Sequence, residues 1–114
     1  MIQRNDVLFV ELPPPLGGAG REQTGRRPAI VVQDELTPLP TVLVLPVTSQ
    51  LEARRFPFTL RVEPTTANGL TMPSIILLFQ MQVIDKRRVV RVIGKLEPEY
   101  ADQLDMMLRR MLKL

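Results

Sequence analysis

The chain contains no cysteine and no histidine. The first absence rules out disulfides and thiolate-bound metals, and it is consistent with a reducing compartment. The second removes the usual general base and the commonest metal ligand. Any catalysis must therefore draw on carboxylates, hydroxyls and arginines, and neither a zinc site nor any other metal is expected. Tryptophan is missing too, leaving four phenylalanines and one tyrosine as the only aromatic surface. Long apolar runs are also lacking. Near the N-terminus only Val7 to Val10 are consecutively apolar, too few for the core of a secretion signal. Nothing approaches the ~20 residues that a membrane-spanning helix needs. The expectation is a soluble, cytoplasmic protein with no membrane partner. The glycines in "PLGGAG" lack a following Gly-Lys-Ser/Thr and open no helix, so they make a poor nucleotide-phosphate loop.

What is present fits one small domain, residues 1–114. Hydrophobic residues make up 45% and charged residues 24%, ordinary for a globular fold, while 11 prolines and 6 glycines call for many turns and short elements. The formal net charge of +3 permits a polyanionic partner without demanding one.

Several short apolar runs read as strands. "DVLFVEL" (6–12) follows Asn5-Asp6, a turn pair that tolerates left-handed backbone. "PPPLGGAGREQTG" (13–25) reads as a long exposed loop, of the length that is often functional. "PAIVVQ" (28–33) and "TVLVLPV" (41–47) are almost continuously apolar, which predicts burial on both faces. "FPFTLRV" (56–62) alternates, with Phe56, Phe58, Leu60 and Val62 on one face. Asn68-Gly69 signals a turn. "SIILLFQMQVI" (74–84) suits one long, bent strand serving two sheets, and "RVVRVIGKL" (88–96) a last strand. From Pro98, a favoured first helical residue, the period becomes helical, with Ala101, Leu104, Leu108, Met111 and Leu112 on one stripe. The fold class expected is mainly β with one or two helices (α+β): a curled sheet or small barrel closed by a C-terminal amphipathic helix.

Candidate chemistry gathers at strand ends. Arg26 and Arg27 stand before Pro28, which biases Arg27 toward extended backbone. A guanidinium fork matches phosphate oxygens and stays charged at any working pH. The alternative is a solvated loop charge. Thr48 and Ser49 follow a buried strand; their hydroxyls can donate to a phosphate oxygen or satisfy a local turn. Glu22 is either a base or half of a surface ion pair worth about 0–1 kcal/mol. Gln80 either hydrogen-bonds a nucleobase or loop backbone, or marks a strand end. Arg54 and Arg55 track a polyanion's backbone or form a solvated face.

Taken in order, "DVLFVEL", "GREQTGRRPAIVVQ", "TVLVLPVTSQ", "NGLTMPSIILLFQMQVIDKRRV" and "IGKLEPEYADQLDMMLRRML" resemble the MazF/PemK/Kid toxin endoribonucleases over nearly the whole chain. "EQTGRRP", "PVTSQ" and "QVIDKRR" carry most of the resemblance. It implies an SH3-like curled barrel, also shared by CcdB-type toxins, a homodimer, and an RNA-cleaving toxin silenced by a cognate antitoxin. The family's arginine before the proline corresponds to Arg27, its strand-end threonine to Thr48, and its loop glutamate to Glu22. Arg26, Ser49, Gln80, Arg54 and Arg55 are then candidate RNA contacts. Two positions depart from the pattern: Arg4-Asn5-Asp6 replaces Arg-Gly-Asp, and Phe79 stands where an acid often precedes the glutamine.

The resemblance makes single-stranded RNA the substrate, with messenger RNA foremost. RNA brings its own nucleophile, the 2′-hydroxyl, so neither a metal nor a cofactor is required. Two alternatives remain at this stage: a CcdB-like protein that binds gyrase without cutting RNA, and an inactive relative.

Overall fold

The computed structural model describes residues 2–13, 25–34 and 39–114. Seven strands occur among them: β1 (Asp6–Leu12), β2 (Gly25–Val31), β3 (Thr41–Thr48), β4 (Thr59–Val62), β5 (Ser74–Leu77), β6 (Gln82–Asp85) and β7 (Val89–Lys95). One helix follows, α1 (Pro98–Leu112). The strands run in the order β4-β5-β3-β2-β1-β7, with β6 also on β3, and every pair is antiparallel.

Strand β3 is where the sheet forks. Its first half, Thr41 to Val44, pairs with β6, and its last two residues, Val47 and Thr48, pair with β5. The other edge pairs with β2. A strand used on both edges and both faces should be apolar at successive positions, and "TVLVLPV" is. Two apolar clusters result. Leu8, Val10, Ala29, Val31, Val42, Val44 and Ile84 belong to one. Val7, Ile30, Leu45, Val47, Ile76, Leu78, Leu104 and Leu108 belong to the other, which also takes the helix. Neighbours in sequence such as Val7 and Leu8 go to different clusters, as the strand's two-residue period requires. Each fully buried Leu or Ile contributes about 2 kcal/mol.

Three expected boundaries move. Strand β2 starts at Gly25, so Arg26 and Arg27 are strand residues rather than the end of a loop. Glycine at φ +77° permits the entry, and β1 runs far enough to pair Leu12 with Gly25. The expected strand 56–62 shortens to Thr59–Val62. A 3₁₀ turn occupies Leu51–Arg55, and Phe58 adopts φ +57°, a costly value for a bulky residue that breaks the alternation. The expected strand 74–84 divides into β5 and β6 around a 3₁₀ turn at Leu78–Gln80. The two halves pair with different stretches of β3.

Helix α1 begins at Pro98 and ends with Lys113 in the left-handed region. Leu104 and Leu108 are buried, and Met107 and Met111 pack partly on the core. Leu112, expected on the apolar stripe, is 49% exposed, and Met106 is more exposed still. Asn5 takes the positive φ, +72°, that its side chain tolerates. No helix among the described residues is long and apolar enough to cross a membrane.

A buried polar knot joins the helix start to the sheet. Asn68 is completely buried. Its side-chain oxygen accepts from the backbone N–H of Thr65 (3.1 Å) and of Leu70 (3.0 Å), and its amide donates to the Glu63 carbonyl and to Glu97 Oε1. Thr65 donates from its hydroxyl to Glu97 Oε2 at 2.7 Å. The loop presses so closely on β7 that a Cβ on Gly69 or on Gly94 would overlap backbone atoms of the other segment. The Lys95 N–H donates to the Ala67 carbonyl at 2.8 Å and ties the two together. This knot fixes where the chain re-enters toward β5, and so places the wall formed by Leu70 to Ser74.

Candidate active site

The ladder between β2 and β3 pairs Val31 with Val44, Ile30 with Leu45 and Ala29 with Pro46, and there it stops. The same register carried two residues further brings Arg27 level with Thr48. A cleft of about 280 Å³ opens at that end. Arg26, Arg27 and Pro28 line it from β2, Val47, Thr48 and Ser49 from the end of β3, and Phe9 from β1; Leu70, Thr71, Met72 and Ser74 close it.

Arg27 sits opposite Val10 in the β1–β2 ladder. It is half-buried, and that burial pushes its guanidinium down from the usual arginine value. The reference is so high that the group remains a cation at any working pH. A cation partly stripped of water holds an anion more strongly than an exposed one. Arg26 faces Glu11 in the same ladder, and their side chains form an exposed ion pair at 3.7 Å, a contact worth little.

Thr48 is 5% exposed and ends β3. Its hydroxyl accepts from the Gln50 N–H at 3.2 Å. The hydroxyl therefore satisfies a local turn, and that bond orients the oxygen while its own hydrogen still serves as a donor. The two sequence readings of Thr48 are thus compatible. Ser49 is exposed beside it.

A second cleft, of about 270 Å³, begins on the other side of Thr48 and is lined by Gln50, Glu52, Ala53, Arg55, Phe56, Leu77, Phe79 and Gln80. Arg55 and Gln80 are therefore brought to the site, whereas Arg54, exposed on the same turn, lines neither cleft. Glu22 lies outside the described residues. Sequence reasoning did not single out Phe9, Phe56, the Leu70 to Ser74 wall or Gln50, and it noted Phe79 only as a departure. The scarcity of phenylalanine was the available signal: all four lie at 9, 56, 58 and 79, and three of them line these clefts.

Among the described residues, no group of three or more acidic side chains gathers where it could hold a metal ion. The side-chain donors lining the first cleft are two guanidiniums and hydroxyls. That set suits an oxyanion whose charge grows during reaction.

Among the described residues the fold is thus a seven-stranded antiparallel sheet with one terminal helix, and Arg27 and Thr48 line one cleft where the β2–β3 ladder ends. Residues 3–112 match the PemK-like, MazF-like toxins of type II toxin–antitoxin systems, and the chain belongs to that family. It is 33% identical over 107 residues to the endoribonuclease EndoA of Bacillus subtilis, covering 92% of this chain and 89% of that relative. The fold is also that of MazF from Deinococcus radiodurans, with a TM-score of 0.76 at 23% identity over 99% and 97% of the two chains. The Mycobacterium tuberculosis toxin MazF-mt6 gives 0.75 at 22% identity over 96% and 97%.

Proposed function

We propose that this protein, acting as one toxin unit over residues 1–114, cuts single-stranded RNA, messenger RNA foremost, at internal phosphodiesters. The observation that carries the reading is the meeting of Arg27 and Thr48 in one cleft, in a chain of the PemK-like, MazF-like family. The relation to an endoribonuclease supports it.

The substrate's 2′-oxygen attacks the adjacent phosphorus while the bond from phosphorus to the 5′-oxygen breaks. Glu22 takes the 2′-proton, and the departing 5′-oxygen gains one from water. Arg27 bridges the non-bridging oxygens as their charge grows, and the Thr48 hydroxyl donates to one of them. Arginine holds its proton too tightly to be a good acid, so its role is electrostatic. The first products are a 2′,3′-cyclic phosphate and a 5′-hydroxyl. No step uses a metal or a cofactor, because the nucleophile belongs to RNA. Arg26, Ser49, Gln80 and Arg55 guide the chain past the site, and Arg54, outside both clefts, contacts the RNA backbone further along.

The partners in this reading are the RNA, a cognate antitoxin implied by the family, and a second copy of the toxin. Val90 and Val92, exposed on the last strand of the sheet, offer the second copy an apolar surface to cover. The working compartment is the cytoplasm. The gyrase-binding alternative gains no support from the family or the relative matched.

Purified protein incubated with a long transcript and EDTA tests the proposal. Discrete cuts with cyclic-phosphate and 5′-hydroxyl ends are expected. Intact RNA together with inhibited gyrase supercoiling would sink it.

A further inference from the structure

The second cleft holds an arrangement that phosphate chemistry does not need. The rings of Phe56 and Phe79 lie 5.5 Å apart and tilted by 59°. The Arg55 guanidinium carbon stands 4.5 Å over the Phe56 ring. Phe56 is thereby covered by a cation on one side and meets a second ring on another. Phe79 remains 43% exposed, although the neighbouring Leu77 and Leu78 are buried. A phenyl ring left that wet forgoes much of the stabilisation that burial would give. A single exposed apolar residue needs no explanation. Here, however, an exposed ring, a second ring and a cation share one cleft in a protein with four phenylalanines.

We propose that this cleft is a stacking subsite for one unpaired nucleobase adjacent to the cleaved phosphate, with Phe79 as its stacking surface. The inference rests on the ribonuclease reading above. Continuity with the first cleft argues for RNA as the occupant, since Thr48 lines both. A chain whose phosphate meets Arg27 and Thr48 lays its neighbouring nucleoside across that divide. Every base has a face that stacks on an aromatic ring, and splayed single strands present those faces. Arg55 adds cation–π attraction on the same side and draws the phosphates. The amides of Gln50 and Gln80 on the rim supply donors and acceptors for the base edge. Phe79 is thus a contact that holds the flanking nucleotide whichever base it carries, and its substitution weakens that hold.

The test uses short oligoribonucleotides carrying the mapped cut site, each with one flanking nucleotide replaced by an abasic ribose. For the native protein, one position next to the cut should lose roughly ten- to hundred-fold in kcat/KM, the scale of one base–aromatic stack. Phe79→Ala and Phe79→Leu should show a similar loss on the intact oligonucleotide and no further loss when that base is absent. Phe79→Tyr should retain most of the native rate. Non-additivity between protein variant and missing base is the signature of contact. Losses that multiply at every position would make Phe79 a packing residue and overturn the subsite. Unchanged cleavage by Phe79→Ala would also overturn it, leaving the ring to a protein partner. In both cases the native protein still cuts RNA, so the ribonuclease reading stands. A native protein that leaves all RNA intact removes both.

Discussion

Arg27 comes level with Thr48 two residues beyond the last rung, Ala29 with Pro46, of the β2–β3 ladder. The sheet opens at that point, and both residues line the cleft that results. Side chains on strands are held more closely than those on loops. The parting of β2 from β3, each still paired with another strand, is what opens the cleft.

Arg27→Ala should lower RNA cleavage by at least about a hundred-fold, the scale for removing one principal donor to a developing oxyanion. The far-UV circular dichroism should be unchanged. Arg26→Ala should have a smaller effect, mainly on KM, because Arg26 is exposed and engaged with Glu11. Equal effects of the two substitutions on kcat would show that the roles are assigned wrongly.

Thr48→Val keeps the shape of the side chain and deletes the hydroxyl. Cleavage should fall on the order of a hundred-fold. Stability should fall by about 1 kcal/mol, because the Gln50 N–H loses its acceptor. Thr48→Ser should restore most of the activity. Single-turnover cleavage and urea titration measure the two effects separately.

Gly69→Ala should destabilise the protein by more than about 2 kcal/mol. The glycine has φ +74°, and a Cβ there would overlap the Ile93 carbonyl. The shift should appear in the urea midpoint. A variant as stable as the native protein would mean that the loop and β7 do not pack as described.

Burial raises the Glu97 carboxyl, but the hydrogen bonds from Thr65, its own backbone and Asn68 together outweigh burial and hold it below the usual value of 4.5. A carboxyl depressed in the folded state contributes stability above its unfolded value and loses it as pH falls through the folded one. The native urea midpoint should therefore drop as the pH goes from about 5 downward, and Glu97→Gln should flatten that limb. Parallel curves for the two proteins would exclude Glu97 as a contributor.

Much of the fold was legible in the residues. Val7 to Val10, the 41–47 run and the helical stripe from Pro98 all formed the elements that their periodicities predict. The misread boundaries share a cause. Arg26 and Arg27 have no strand propensity of note and follow a glycine-rich segment, yet β1 extends far enough to pair them. The 74–84 run has no internal breaker, yet β3 binds its two halves at different places, and the chain turns at Leu78–Gln80 to reach both.

Sequence alone determined the residue chemistry: without histidine or cysteine, an arginine, a hydroxyl and a carboxylate were the groups left for a reaction. It also determined which segments had to be buried, because apolar periodicity is a local property of the chain. Only the tertiary structure decided which of those groups meet. Arg27 and Thr48 are 21 positions apart and are brought together by the β2–β3 register; Phe56 and Phe79 meet because two separate turns converge beyond Thr48. Register and turn packing depend on contacts between distant segments, and no local pattern encodes them.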